Sequence, residues 1–153
     1  MVQVVLDDIE DIDTGISAGK CTSVIQTGGE NINICWSPDG NSIAVGDKND
    51  TISFIDTRTC TIIMTQKHTV EVNEIAWNNA NDMFFVTTGQ GTIRAYEYPS
   101  LQLVHSLRGH TANCYCVEAD PTSRYLAAGS ADALVSLWDM KTFNCVRSFS
   151  ELS

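Results

Sequence analysis

Three histidines are the first candidates for chemistry in this chain. His68, His105 and His110 could act as general bases or bind a metal ion, because a neutral imidazole accepts protons and ligates metals. Nucleophilic catalysis would also need a Ser or Cys placed with a His and a carboxylate. The sequence shows no recognisable arrangement of that kind. It therefore predicts no catalytic residue, no metal site, no cofactor and no small-molecule substrate.

An acid-rich N-terminal segment contains the short motif Ile12-Asp13-Thr14-Gly15. Acid proteases use an Asp in such a motif, but their chemistry needs two carboxylates that face each other and share a proton. A chain of 153 residues could supply the second carboxylate only by dimerising. We therefore interpret the motif as a chance match, and a hydrolase built around Asp13 is the alternative from another functional class.

Six cysteines provide further potential ligands or disulfides: Cys21, Cys35, Cys60, Cys114, Cys116 and Cys145. Cys114 and Cys116 are spaced C-x-C, which does not match the spacing of a zinc knuckle. No export signal is recognisable, so we expect a reducing compartment, where disulfides are rare. The cysteines are therefore predicted to be free thiols that pack as small hydrophobic residues.

The charge balance argues against direct binding of DNA or RNA. The chain has 19 acidic and 9 basic residues and a net charge of −10. Nucleic-acid-binding proteins usually carry a basic surface, because neutralising phosphates supplies most of their non-specific affinity. The sequence also has no run of 18 apolar residues, so no membrane partner is expected.

Equivalent residues recur every 41 or 42 positions along the chain. His68 and His110 are 42 residues apart. Two other sets keep nearly the same spacing: Trp36, Trp77 and Ala119, and Asp56, Glu97 and Asp139. A period of about 40–45 residues, with Gly-His near the start and Trp-Asp near the end, is typical of a four-stranded β-propeller blade. Gly109-His110 and Trp138-Asp139 show both features in the third copy.

Within each copy the pattern predicts strands and turns. Ile32, Ile34 and Trp36 alternate with Asn33 and Cys35, which predicts a strand with one buried face. Turn-forming residues follow every 8 to 12 positions, and no helical periodicity is visible. The predicted fold is all-β, with about three four-stranded antiparallel sheets plus one extra strand.

The repeat divides the chain into four segments. Residues 1–20 are an acidic N-terminal segment that is predicted to be disordered. Residues 21–67 contain the outer strand of a preceding blade and the first full blade, 68–108 the second blade and 109–150 the third. Because known propellers need about four to eight blades, we expect an incomplete propeller that belongs to a longer one.

The third copy resembles the WD-repeat family of β-propellers through the Gly-His and Trp-Asp pairs. In that family four side chains of a blade form a hydrogen-bonded chain. The resemblance implies that Trp138 donates to the hydroxyl of Ser130, that Ser130 bonds to His110, and that His110 bonds to Asp132 in a tight turn. This set is a structural network rather than a catalytic one.

The other two copies depart from the pattern. At the position of the turn Asp they have Asn49 and Gln90, and at the position of the Trp they have Ile55 and Tyr96. The first copy also has Thr27 in place of the His. These two copies are predicted to rely on apolar packing.

Five longer stretches resemble a narrower family, the subunit-three family of the nuclear THO complex: residues 29–40, 54–56, 71–78, 83–85 and 129–139. This resemblance spans about residues 21–149 and implies a non-enzymatic scaffold that couples transcription to mRNA packaging and nuclear mRNA export. Its partners would be other protein subunits of a THO-like complex, any RNA association would be indirect, and its location would be nuclear. The alternative is a WD-repeat adaptor in another assembly, such as a ubiquitin-ligase substrate receptor or a signalling hub.

Overall fold

The computed structural model describes residues 3–8 and 20–150 of the chain, with side chains from Ser23 onward. These residues form fourteen strands: β1 (Gln3–Asp8), β2 (Lys20–Gln26), β3 (Asn31–Trp36), β4 (Ser42–Asp47), β5 (Thr51–Asp56), β6 (Thr61–Lys67), β7 (Val72–Trp77), β8 (Met83–Thr88), β9 (Thr92–Glu97), β10 (Leu103–Arg108), β11 (Cys114–Ala119), β12 (Tyr125–Ser130), β13 (Leu134–Asp139) and β14 (Asn144–Ser150). None of the described residues belongs to a helix long and apolar enough to cross a membrane.

The strands form three four-stranded sheets and one two-stranded sheet. Each larger sheet is an antiparallel meander: β3 to β6 form the first, β7 to β10 the second and β11 to β14 the third. Short turns join neighbouring strands, so each sheet comes from one continuous stretch of chain. The predicted all-β fold, with three four-stranded sheets that do not close into a ring, is confirmed.

The N-terminal segment differs from its prediction. Gln3–Asp8 is not disordered but pairs antiparallel with β2, with Gln3 opposite Gln26 and Asp8 opposite Lys20. An unpaired edge of β2 would leave backbone N–H and C=O groups without partners, and a short strand of β-forming residues satisfies them. Strand β1 is therefore the strand that pairs with β2 in this two-stranded sheet. Residues 9–19, which include Asp13, lie outside the described residues.

The first and second sheets pack face to face through aromatic side chains. Phe54 of the first sheet contacts Phe84 of the second, with ring centroids 5.2 Å apart at an angle of 69°. Trp77 of the second sheet lies edge-on to the same Phe54 ring at 6.0 Å. Within the second sheet, Tyr96 stacks on Phe84 at 5.1 Å. Edge-to-face pairs of this kind add to the gain from burying the rings. Phe54 and Phe84 are fully buried by this contact.

The second and third sheets share a separate core. It contains Phe85, Ile93 and Leu107 from the second sheet and Leu126 and Trp138 from the third. These side chains lie on alternate strand positions, because successive residues of a strand point to opposite faces. The second sheet therefore buries one face against the first sheet and the other face against the third.

Strand β3 does not bury the apolar face that its alternation predicts. Ile32, Ile34 and Trp36 are 46%, 55% and 55% exposed, whereas the intervening residues are half-buried. On the same face of the first sheet, Ile43 is fully buried by packing with Ile25 of β2. The two-stranded sheet β1–β2 thus covers the middle of the first sheet and leaves β3 uncovered within the described part of the chain.

Left-handed backbone conformations recur with the period of the repeat. Nine residues with φ between 55° and 72° occupy three equivalent turn positions: Gly40, Asn81 and Ser123; Asp50, Gly91 and Ala133; Cys60, Leu101 and Phe143. An Ala at such a position is strained by its Cβ atom, whereas Gly adopts it freely. The middle set shows this contrast directly, since Gly91 and Ala133 have the same place in successive sheets.

Replacing Ala133 with Gly is expected to stabilise the protein. Ala133 is exposed and has φ 64°, so the change removes backbone strain without removing a buried contact. The gain should be about 0.5–1 kcal/mol, after the larger conformational entropy of unfolded Gly is subtracted. The free energy of unfolding, measured with urea, tests this expectation. The matched control is Ala131→Gly, an exposed neighbour without positive φ, which should destabilise; equal effects would contradict the strain argument.

Candidate functional site

The polar residues that can do chemistry converge in the third sheet. Trp138 and Ser136 lie two residues apart on β13 and therefore point to the same face. Asp132 lies in the turn between β12 and β13, and His110 lies in the connection that leads from β10 to β11. The connection places the imidazole against this face of β13, between the Asp132 turn and Ser136.

These four side chains form a continuous hydrogen-bonded chain. The indole N–H of Trp138 donates to Ser136 Oγ at 2.8 Å. Ser136 Oγ lies 2.7 Å from His110 Nε2, and His110 Nδ1 lies 3.1 Å from Asp132 Oδ1. A neutral His110 with its proton on Nδ1 satisfies every member: Ser136 donates to Nε2, and Nδ1–H donates to the carboxylate. Buried polar networks stabilise when every member has its partner.

The carboxylate of Asp132 is fixed from several directions. Oδ2 accepts the backbone N–H of Thr111 at 2.9 Å, and Oδ1 accepts that of Leu134 at 3.1 Å. Desolvation opposes ionisation, but these backbone bonds and the one from His110 outweigh it and lower the pKa of Asp132 to about 2. The carboxylate is thus ionised at neutral pH and ties the turn to the segment that carries His110.

One member of the predicted network was wrong. The hydroxyl belongs to Ser136, not to Ser130. In the β12–β13 register Trp138 lies opposite Leu126, and Ser130 is four residues further along β12, about 13 Å away at the usual rise per residue. Ser130 instead donates to the carbonyl of Ala112 at 3.1 Å and accepts the N–H of Asp132 at 3.3 Å, so it supports the turn.

The second sheet contains a shortened version of the network. The hydroxyl of Tyr96, at the position of Trp138, lies 3.2 Å from Nδ1 of His68. Nε2 of the same ring is buried and has no hydrogen-bond partner among the described residues, and Arg94 stands at the position of Ser136. Burial, followed by the charge of Arg94, lowers the pKa of His68 to about 4. The second sheet thus contains a buried polar pair as well as its predicted apolar packing.

The first sheet holds its turn in a different way. Asp47, which is buried, accepts the backbone N–H groups of Asn49 at 2.8 Å and Thr51 at 3.1 Å. Thr27, at the position of the missing His, donates to Asn31 Oδ1 at 2.6 Å. A carboxylate therefore organises this turn too, but it stands at the end of β4.

Two amides on the innermost strands join neighbouring sheets and were missed from the sequence. Asn33 Nδ2 donates to the carbonyl of Asn73 at 2.6 Å, and Asn73 Nδ2 donates to the carbonyl of Cys114 at 2.9 Å. The two contacts are equivalent, since Asn33 and Asn73 are 40 residues apart. The sequence does contain one indication of these bonds between sheets, namely that the two asparagines are separated by nearly the length of the repeat.

The cysteines with described side chains and His105 lie apart from this network. The five cysteines whose side chains are described are free, but only Cys114 is fully buried, whereas Cys116 and Cys145 are exposed. Burial raises the pKa of the Cys114 thiol to about 12, which disfavours the reactive thiolate. His105 is exposed, and its ring stacks on Phe143 with centroids 4.0 Å apart. Among the described residues no three His, Cys, Asp or Glu side chains are placed to hold a metal ion.

The innermost strands also line an open cavity of about 400 Å³. Its walls include Ile34, Ile75 and Val117, one from each large sheet, together with Glu74 and Glu118. Desolvation and the charge of Glu118 raise the pKa of Glu74. The cavity thus combines apolar side chains with two neighbouring carboxylates.

Chemically, the network is a structural element. The His110 side chain is 1% exposed and that of Asp132 8% exposed, so neither reaches a solute. Both ring nitrogens of His110 are occupied by Ser136 and Asp132. The arrangement fixes the start of the third sheet to its turn and leaves no group free for proton transfer.

Comparison with known proteins gives one family and several relatives. The family model described as WD domain, G-beta repeat, matches residues 19–56 and 101–139, about half of the chain. The chain is similar to THO complex subunit 3 of Arabidopsis thaliana, with 49% identity over 88% of this chain and 43% of that protein. It is also similar to WD repeat-containing protein AAC3 of Dictyostelium discoideum, with 39% identity over 88% of this chain and 29% of that protein.

The fold is also found among solved structures. The structure of U3-55K matches with a TM-score of 0.77 and 15% identity, over 82% of this chain and 41% of that chain. At this identity the likeness concerns the fold alone. In each of these comparisons the chain spans less than half the length of the protein that it matches.

Replacing Ser136 with Ala is expected to destabilise the protein by roughly 1–3 kcal/mol, because His110 Nε2 and the indole N–H would both stay buried without a partner. The matched control is Ser148→Ala: Ser148 lies opposite Ser136 on β14 but is exposed. Urea unfolding measures both changes. If both variants lower the free energy of unfolding by the same small amount, Ser136 is not the link between Trp138 and His110.

His68 should make the protein less stable as the pH falls from about 6.5 to about 4. Its pKa is lower in the folded than in the unfolded chain, so the unfolded state binds the additional proton in this window. The free energy of unfolding should therefore decline more steeply with falling pH in the wild type than in His68→Gln. The declines attributable to Asp120 and Asp132 occur at lower pH, since both pKa values are about 2. Parallel pH profiles for wild type and variant would contradict a buried, neutral His68.

Proposed function

The chain belongs to the WD40-repeat family, and from this we propose that it acts as a non-enzymatic scaffold for protein–protein interaction in a THO-like complex of the nucleus. In that complex it would help to couple transcription to mRNA processing and nuclear mRNA export. The observation that carries the proposal is its similarity to THO complex subunit 3, which extends over most of this chain. Because the chain spans less than half of that protein, its partners are part of the proposal.

The internal chemistry of the sheets supports a scaffold. The residues that could act as acid and base, His110 and Asp132, are used inside the fold to hold a turn. Glu74, with its raised pKa, lies instead in the open cavity of the innermost strands, beside apolar side chains. Protein interfaces characteristically have such an apolar centre with polar groups around it.

The charge of the chain favours protein partners over direct contact with RNA. A net charge of −10 repels a polyanion at a distance, and screening by salt reduces this repulsion without reversing it. Association with RNA would then pass through other subunits. This expectation separates a scaffold within an RNA-processing complex from an RNA-binding protein.

The proposal is tested by co-expressing the full chain, with an affinity tag, together with the other THO subunits of the same organism. We expect the subunits to co-elute with the chain in size-exclusion chromatography, also after RNase treatment. Ultraviolet crosslinking of the purified chain alone to RNA should give no product, whereas the assembled complex should give crosslinks on its other subunits.

A matched control for the tag and for folding is Ser148→Ala, an exposed change that should leave co-elution unaffected. Failure of the THO subunits to co-elute with a folded chain would overturn the proposed complex. Direct crosslinking of the isolated chain to RNA would overturn the indirect role.

A further inference from the structure

The outer part of the second sheet has a polar pocket that the scaffold role does not explain. Its volume is about 280 Å³, and its walls include Arg94 and Arg108. In the β9–β10 register Arg94 pairs with Ser106, and Arg108 pairs with Thr92. Since paired and alternate residues share one face of a sheet, two guanidinium groups and two hydroxyls lie together.

Neither arginine forms an ion pair with another residue that the structure describes. Among the described residues the ion pairs are Lys48–Glu30 and His110–Asp132, and no side-chain hydrogen bond involves Arg94 or Arg108. Two other arginines, Arg124 and Arg147, do contact aromatic rings: they lie over Tyr125 and Phe149. Two neighbouring arginines without an acidic partner are unusual in a chain that has 19 acidic and 9 basic residues.

Comparison with the third sheet shows what the pocket lacks. Gln90 occupies the place of Asp132, and Arg94 occupies that of Ser136. At these two positions the second sheet therefore has an amide in place of a carboxylate and a cation in place of a hydroxyl. His68 adds a further unsatisfied group. Its ring contacts Tyr96, two residues after Arg94, and is buried, with 4% of the residue exposed. Its Nε2 atom has no hydrogen-bond partner among the described residues.

We propose that this pocket binds an external anion, and that the anion is a phosphorylated side chain of a partner protein. Two guanidinium groups with neighbouring hydroxyls suit a phosphate, because Arg binds its oxygens through paired, charge-assisted hydrogen bonds. The phosphate takes the electrostatic place that Asp132 has in the third sheet. Gln90 and Thr92, in the turn that borders the pocket, supply further polar groups.

The surroundings favour a single phosphate on a protein over the backbone of a nucleic acid. A nucleic acid presents many phosphates in a row and needs a basic track along the protein. The pocket offers two arginines, and its lining contains no further Lys or Arg that could continue such a track, on a chain with net charge −10. One phosphoserine or phosphothreonine matches two arginines without a basic track.

This inference rests on the proposed scaffold role for the identity of the partner, whereas anion binding itself can be tested on the chain alone. The experiment titrates the ¹⁵N-labelled full chain with inorganic phosphate, with capped phosphoserine and with sodium chloride of equal ionic strength. NMR shifts of the amides of residues 90–94 and 106–108 and of the arginine side-chain N–H groups are followed. We expect saturable shifts with both phosphates and none with chloride.

The double variant Arg94→Gln/Arg108→Gln should bind phosphate more weakly by at least about tenfold, which corresponds to the loss of a charge-assisted hydrogen bond. The double variant Arg124→Gln/Arg147→Gln is the matched control, because it makes the same change in net charge outside the pocket. A second readout is the imidazole of His68, where Arg94, Lys67 and Asp50 are the neighbouring charges. Binding of phosphate beside Arg94 should raise the pKa of this imidazole.

Three results would overturn the inference: shifts that chloride reproduces, equal weakening in the two double variants, or no saturable shift. A single-stranded oligouridylate that binds the pocket more tightly than phosphoserine would overturn the assignment to a protein partner. The tests of the two proposals are separable. If the chain binds phosphate but the THO subunits do not co-elute, the proposed complex is wrong and the phosphate-binding pocket stands. If the subunits co-elute but phosphate does not bind, only the proposed pocket is wrong.

Discussion

The burial of each four-stranded sheet against the next is the constraint on which the structure depends. The sheets exchange no strands, so the contacts that hold them together are side chains between their faces and a few hydrogen bonds. Phe54, Phe84 and Leu126 are fully buried only because a neighbouring sheet covers them. In an array of this kind stability is approximately the sum of unit and interface contributions. The uncovered face of β3 shows the same constraint, since its isoleucines are exposed where the described part of the chain provides only the two-stranded sheet as a neighbour.

The polar residues inside the sheets fix the conformation of the turns, which apolar packing alone does not specify. Each sheet fixes the turn between its second and third strands with a side chain, but its position or type differs. Asp47 at the end of β4 serves in the first sheet, and Asp132 within the turn serves in the third. In the second sheet the hydroxyl of Thr88 accepts the N–H of Thr92. Backbone groups in a tight turn must find partners, whichever side chain supplies them. The full network around His110 is thus one of several solutions to a local requirement, and its loss in the other sheets does not disturb the packing between them.

Much of the fold follows from the sequence because the repeat is visible in it. The period of 41 or 42 residues, the alternation within strands and the turn residues together predicted the three sheets. Other features depend on contacts that no pattern specifies. Ser130 and Ser136 are both close to Trp138 in the sequence, and the positions of β12 and β13 decide which of them reaches its indole. The pairing of Gln3–Asp8 with β2 and the exposure of Trp36 depend on which neighbouring surface is present, and a strand pattern does not contain that information.

The same independence of the sheets explains how one of them can carry a new surface. A change at a turn or at an outward-facing strand position affects the sheet that contains it, because neighbouring sheets contact only its faces. The second sheet keeps Phe84, Phe85 and Ile93 fully buried, so its packing does not depend on the residues at positions 90 and 94. With Asp exchanged for Gln and Ser for Arg at these places, the local charge changes from negative to positive. A structural network in one copy of the repeat can in this way become a recognition surface in the next.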